Sequence, residues 1–158
     1  MKSGATLFLR AMLVLLAMGA LALLLWEPHL EGRNAHATLF AIYFKDPFLA
    51  YAYVAAIPFF AGLYQAFKVL GYAGRNKEIS PSALRSVRTI KYCAVAIIGF
   101  VAIGEGIIMS GDSDDRAGGV AIGVFIFFAS VVVATAMAVF ERALQKAIDM
   151  KSENDLTV

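Results

Sequence analysis

Glu105 is the one acid inside an otherwise apolar stretch, Tyr92 to Ser110, and it sits between Gly104 and Gly106. A carboxylate within a membrane span costs several kcal/mol unless it faces a cavity, water or a partner. Proton coupling, ligand binding and a purely structural pairing are the roles open to it. Counted from the outer helix ends, it lies level with Tyr51 and Tyr53, whose phenols can donate to it, and Arg116 can reach down to it. Its depth of about one turn also fits an acid that snorkels and pairs structurally. Pro58 frees the carbonyl of Val54 within its helix. Transporters build midplane sites from such breaks, and ordinary membrane helices tolerate them where neighbours satisfy the carbonyl. Tyr64 and Gln65 lie farther along the same helix, toward its other end, where they can donate to a neighbour.

A second set is cationic. Arg85, Arg88 and Lys91 recur every three residues, with Arg75 and Lys77 just before them. Such a stripe attracts anionic lipid headgroups at about 1 kcal/mol per basic residue, or presents a docking face to an acidic protein. The plainer description is that these residues only set topology, as the positive-inside rule requires. His29 and His36 share an outer loop without a supporting carboxylate, which makes a poor metal site. No phosphate-binding loop, nucleophile elbow or zinc-protease motif is present. No catalytic residue, metal site or cofactor is therefore expected. Direct nucleic-acid binding is not expected either, because the basic residues lie against a membrane face. Lone Cys93 excludes an internal disulfide.

These residues are carried by apolar helices. Of 158 residues, 60% are hydrophobic and 16% charged, against about 25% charged in soluble domains, and the mean hydropathy is +0.72. The apolar residues come in blocks, and a hydrocarbon core about 30 Å thick needs roughly 20 residues of helix. Spans are expected at about residues 7–26, 47–70, 91–110 and 117–140, with a helical extension over about 141–151 and a frayed tail beyond it. The first segment lacks a small-residue cleavage site, so an uncleaved span is expected rather than a signal peptide. The fold class expected is all-α: a four-helix membrane bundle forming a single domain. Eleven of the fourteen Lys and Arg residues fall on the side of the termini and the middle loop. That places the N and C termini in the cytoplasm of a multi-pass membrane protein.

Local signals mark the helix ends. Asp46-Pro47 and Ser80-Pro81 pair a capping side chain with proline at the first helical position. Gly71 and Gly74 end the second helix. Small residues recur at four-residue spacing as Gly119 and Gly123, Gly62 and Ala66, and Ala102 and Gly106. That is the close-packing pattern of membrane helices, within one subunit or between the copies of a homo-oligomer.

Several stretches carry a family resemblance. They are Asp46-Pro47-Phe48-Leu49-Ala50-Tyr51, Pro58, Leu63-Tyr64-Gln65-Ala66-Phe67, Ile90-Lys91-Tyr92, Asp114-Asp115-Arg116-Ala117-Gly118-Gly119 and the ending Ser152 to Val158. Together they resemble a bacterial family of four-span membrane proteins catalogued as a domain of unknown function. The resemblance implies four spans in the bacterial inner membrane, no established activity and no assigned site residues. Genes of that family often neighbour one for a small helix-turn-helix regulator similar to phage repressors. The function expected is therefore a non-enzymatic membrane regulator that binds or tethers such a transcription factor through its cytoplasmic loop and C-terminal extension. The alternative, from a different class, is a small oligomeric transporter or channel lined by Glu105, Pro58 and the tyrosines.

Overall fold

A computed structural model describes residues 2–30, 36, 38–41, 47–75, 77–110 and 116–156, without the side chains of 2–3, 27–30, 116 and 155–156. Four long helices carry the chain: α1 (Lys2–Leu30), α2 (Pro47–Ala73), α3 (Pro81–Ser110) and α4 (Arg116–Leu156). Each contains a stretch long and apolar enough to cross a membrane. Large apolar side chains along them point outward, among them Leu15, Ile57, Ile103, Phe125 and Val132. In water such a surface would drive aggregation, and in a bilayer it is the lipid-facing wall.

The helix ends follow from local chemistry. Ser80 Oγ accepts from the Ala83 amide at 3.2 Å, and Pro81 occupies the first helical position of α3. At the end of α2, the Gly74 amide donates to the Leu70 carbonyl at 3.1 Å. Asp46, the expected cap of α2, lies outside the described residues, as do residues 111–115. Pro58 stays within a continuous α2. α4 runs to Leu156, past its expected end near Lys151 and into the tail expected to fray. At 1.5 Å per residue its 41 residues reach about 60 Å, roughly twice the hydrocarbon thickness.

The helices pack antiparallel in chain order, most extensively along α3–α4, then α2–α3, then α1–α2. Among the described residues no comparable contact closes α4 onto α1, so the four helices form an open row. Along α4, Gly123, Ser130, Met137 and Leu144 recur every seven residues on the side packed against α3, as in coiled-coil-like seams. Small residues admit close neighbours at Gly62 (facing Cys93), Gly104 (facing Tyr51) and Gly119 (facing Ile108). The expected Ala102–Gly106 stripe is exposed instead, and Gly106 has nothing near its absent side chain. The packing position is Gly104, two residues from either.

The best-buried apolar cluster lies at one end of the row rather than in its middle. Ala83, Leu84, Val87 and Leu144 form it, with Val69, Tyr72, Met137 and Ile148 packed around them. It joins the end of α2, the first turns of α3 and the extension of α4. This is the basic pole, which carries Arg75, Lys77, Arg85, Arg88, Lys91, Arg142 and Lys146.

Candidate functional site

At the basic pole, α3 places Arg88 and Lys91 one turn apart, just before its uncharged run begins at Tyr92. α4 places Glu141 directly after its own uncharged run ends at Phe140. Antiparallel packing brings the two levels together. Arg88 Nε donates to Glu141 Oε1 at 2.7 Å, and Lys91 Nζ donates to Oε2 at 2.6 Å. Both carboxylate oxygens are thus held by cations, and the Glu141 side chain is only 15% exposed. Hydrogen bonds from Lys91 and then Arg88 hold the Glu141 carboxyl below the usual carboxylate range. The same hydrogen bond raises the Arg88 guanidinium. Such charge-assisted bonds fix geometry as well as adding attraction.

Around this pair lies a groove of about 440 Å³ between α3 and α4, lined by Arg88, Lys91, Glu141, Arg142, Gln145 and Lys146. Four cations face one carboxylate. The next acid along α4, Asp149, accepts from the Gln145 amide at 3.0 Å. Lys91 Nζ also stands 4.8 Å over the Tyr92 ring, a cation–π contact at a level where aromatic side chains meet the membrane interface.

The expected stripe of Arg85, Arg88 and Lys91 is thereby divided. Arg85 is exposed, with its carbonyl accepting from Thr89 Oγ1 at 2.9 Å, while the other two are committed to Glu141. Arg75 and Lys77 are exposed in the loop before α3, where their amides donate to the Tyr72 carbonyl at 3.1 and 2.9 Å. Glu141 is the acid that ties the α4 extension to the stripe. It has no sequence motif of its own, and the available signal is its level, directly after one uncharged run as Lys91 is directly before the other.

The intramembrane residues are arranged differently from the expectation. Glu105 was expected beside Tyr51 or Tyr53, but its carboxylate lies against Gly123 of α4, where any added Cβ would overlap it. Tyr51 donates to the Phe100 carbonyl at 2.5 Å, and its ring packs edge-on against Phe100 at 5.8 Å. Tyr53 donates to the Leu24 carbonyl of α1 at 3.0 Å. The reason is helical geometry. Residues two apart on a helix point to opposite sides, so Tyr51 serves α3 and Tyr53 serves α1. Gly104 is the α3 residue that meets Tyr51, and Glu105, one position on, turns about 100° away toward α4. The level was right and the face was wrong. The side chain of Arg116 lies outside the described residues.

Tyr64 is 63% exposed, with Lys68 Nζ 5.7 Å over its ring, and Gln65 is half-buried. Glu105, Pro58 and the tyrosines therefore do not converge on one path within a single chain. The Arg10 side chain reaches from α1 to lie over Phe67 at 5.1 Å, with its Nη2 within 2.9 Å of where a side chain on Gly71 would begin. It sits near the carbonyl end of α2, which favours a cation. The His29 side chain lies outside the described residues, and His36 is exposed.

Residues 32–158 match the model of a family described as Protein of unknown function (DUF2975). Over 160 aligned positions the chain is 42% identical to the uncharacterized membrane protein YoaS of Bacillus subtilis, with all of both chains covered. No solved structure matches.

Proposed function

The chain belongs to the family described as Protein of unknown function (DUF2975), and from that premise we propose a non-enzymatic role as a membrane-anchored docking platform. In this reading the basic pole faces the cytoplasm of a bacterial cell and binds a helix-turn-helix regulator, holding it at the inner membrane. The observation that carries it is the location of the buried apolar cluster. Here Ala83, Leu84, Val87 and Leu144 build a small core at the basic pole, and α4 extends past its span to Leu156. The distal surface so supported carries Arg75, Lys77 and Arg85 beside the α4 extension.

The test uses full-length protein in lipid nanodiscs and the regulator encoded beside it. The platform predicts binding at low ionic strength that weakens with salt, because exposed charges are screened beyond a Debye length of about 10 Å at 0.1 M. Arg85→Glu and deletion of residues 152–158 should each weaken it without loss of folded protein. No binding at low salt would reject the platform.

One observation favours a second reading, an oligomeric transporter. The Glu105 carboxylate, half-buried against Gly123, has no hydrogen bond or ion pair among the described residues. Proton-linked flux in liposomes that is lost in Glu105→Gln would favour that reading.

A further inference from the structure

The α3–α4 groove combines three features that a docking surface for a soluble partner does not need. Its charge is unbalanced, because Arg88, Lys91, Arg142 and Lys146 surround a single carboxylate. Glu141 occupies Arg88 and Lys91, whereas Arg142 and Lys146, one turn apart on α4, have no carboxylate partner among the described residues. Its depth is that of the headgroups, since the uncharged runs of both helices begin immediately beyond Lys91 and Glu141. Its membrane side is apolar, with Tyr92, Val95 and Phe140 exposed there.

We propose that this groove binds the phosphate of one anionic phospholipid, with Arg142 and Lys146 as the unpaired cations that hold it and its acyl chains running along the apolar wall beside Tyr92 and Phe140. The excess cations recognise a phosphate, whether free or esterified. The apolar wall gives a lipid an advantage that a free anion cannot use. Arg88 and Lys91, fixed by Glu141, contribute their field without having to be ordered on binding. This goes beyond the platform reading and is independent of it, because no protein partner enters.

The experiment is native mass spectrometry of the full-length protein in detergent, titrated with phosphatidylglycerol or phosphatidylcholine. A single phosphatidylglycerol adduct should form in clear preference to phosphatidylcholine. R142Q/K146Q should weaken that adduct by roughly 30-fold, at about fivefold per basic residue removed. The charge-preserving R142K/K146R should retain it, which separates lost charge from lost fold. R75Q/K77Q, changed in the loop outside the groove, should leave it intact. Equal uptake of the two lipids would overturn the proposal. So would a loop variant as defective as the groove variant, because the attraction would then be diffuse. Displacement of the adduct by millimolar inorganic phosphate would assign the groove to a free anion and overturn the lipid.

Discussion

Truncating Leu144 tests whether the basic pole is the structural centre of this protein. Leu144 is 6% exposed and packs within the cluster of Ala83, Leu84 and Val87. Leu144→Ala removes three carbons, worth about 2.4 kcal/mol in transfer at about 0.8 kcal/mol each. The residual cavity brings the expected loss to about 3 kcal/mol, within the range of buried Leu→Ala changes. That is a change of roughly 150-fold in the unfolding equilibrium. Phe125 supplies the contrast, because it is larger but 75% exposed, on the lipid-facing side of α4. Lipid tails solvate it in both states, so Phe125→Ala should cost less than about 1 kcal/mol. Reversible unfolding in mixed dodecylmaltoside and SDS micelles, followed by near-UV circular dichroism, measures both. Equal losses, or a larger loss for Phe125→Ala, would refute the reasoning.

Two further predictions concern the carboxylates. Glu141 has its carboxyl held below the ordinary value of 4.5 in the folded protein, so the unfolded state binds more protons across that interval. The stability it contributes is complete above the ordinary value and is lost as the pH falls through the lowered one. Melts taken from pH 6 to pH 3 should therefore slope less in Glu141→Gln than in the parent, and parallel slopes would remove Glu141 from the account. At the α3–α4 seam, Gly123→Ala forces the Glu105 carboxylate to move, and because that carboxylate ends a flexible, half-buried side chain the change should cost about 1 kcal/mol or less. Adding Glu105→Ala should restore most of that loss. Strictly additive single and double variants would show that the two positions do not touch.

The helices were legible because their signals are local and redundant. Apolar runs of membrane length, the Ser80-Pro81 start and the Gly74 stop each depend on residues within a turn or two, although the helix runs on through Gly71 to Ala73. The faces were not legible. Glu105 was placed at the right depth, yet its partner depends on a rotation of about 100°, and neighbouring apolar positions around α3 give no contrast to fix it. Small-residue spacing failed in the same way, with Ala102 and Gly106 exposed while Gly104 meets Tyr51. Glu141 illustrates a third limit. Its bonds to Arg88 and Lys91 span some 50 positions, and nothing adjacent to it in the chain marks it. Only the antiparallel pairing of two span ends brings it opposite two cations. The buried cluster was hidden for a related reason, because Ala83, Leu84 and Val87 precede the third span and are interleaved with Arg85 and Arg88.

Topology reporters fused to the full-length chain measure whether the basic pole faces the cytoplasm. Fusions after Lys77 and after Val158 should both report the cytoplasm, and one after Ser113 should report the opposite side, as the basic asymmetry requires. A signal from outside the cytoplasm at Lys77 or Val158 would contradict the account, because the groove, the buried cluster and the α4 extension would then face away from any cytoplasmic regulator.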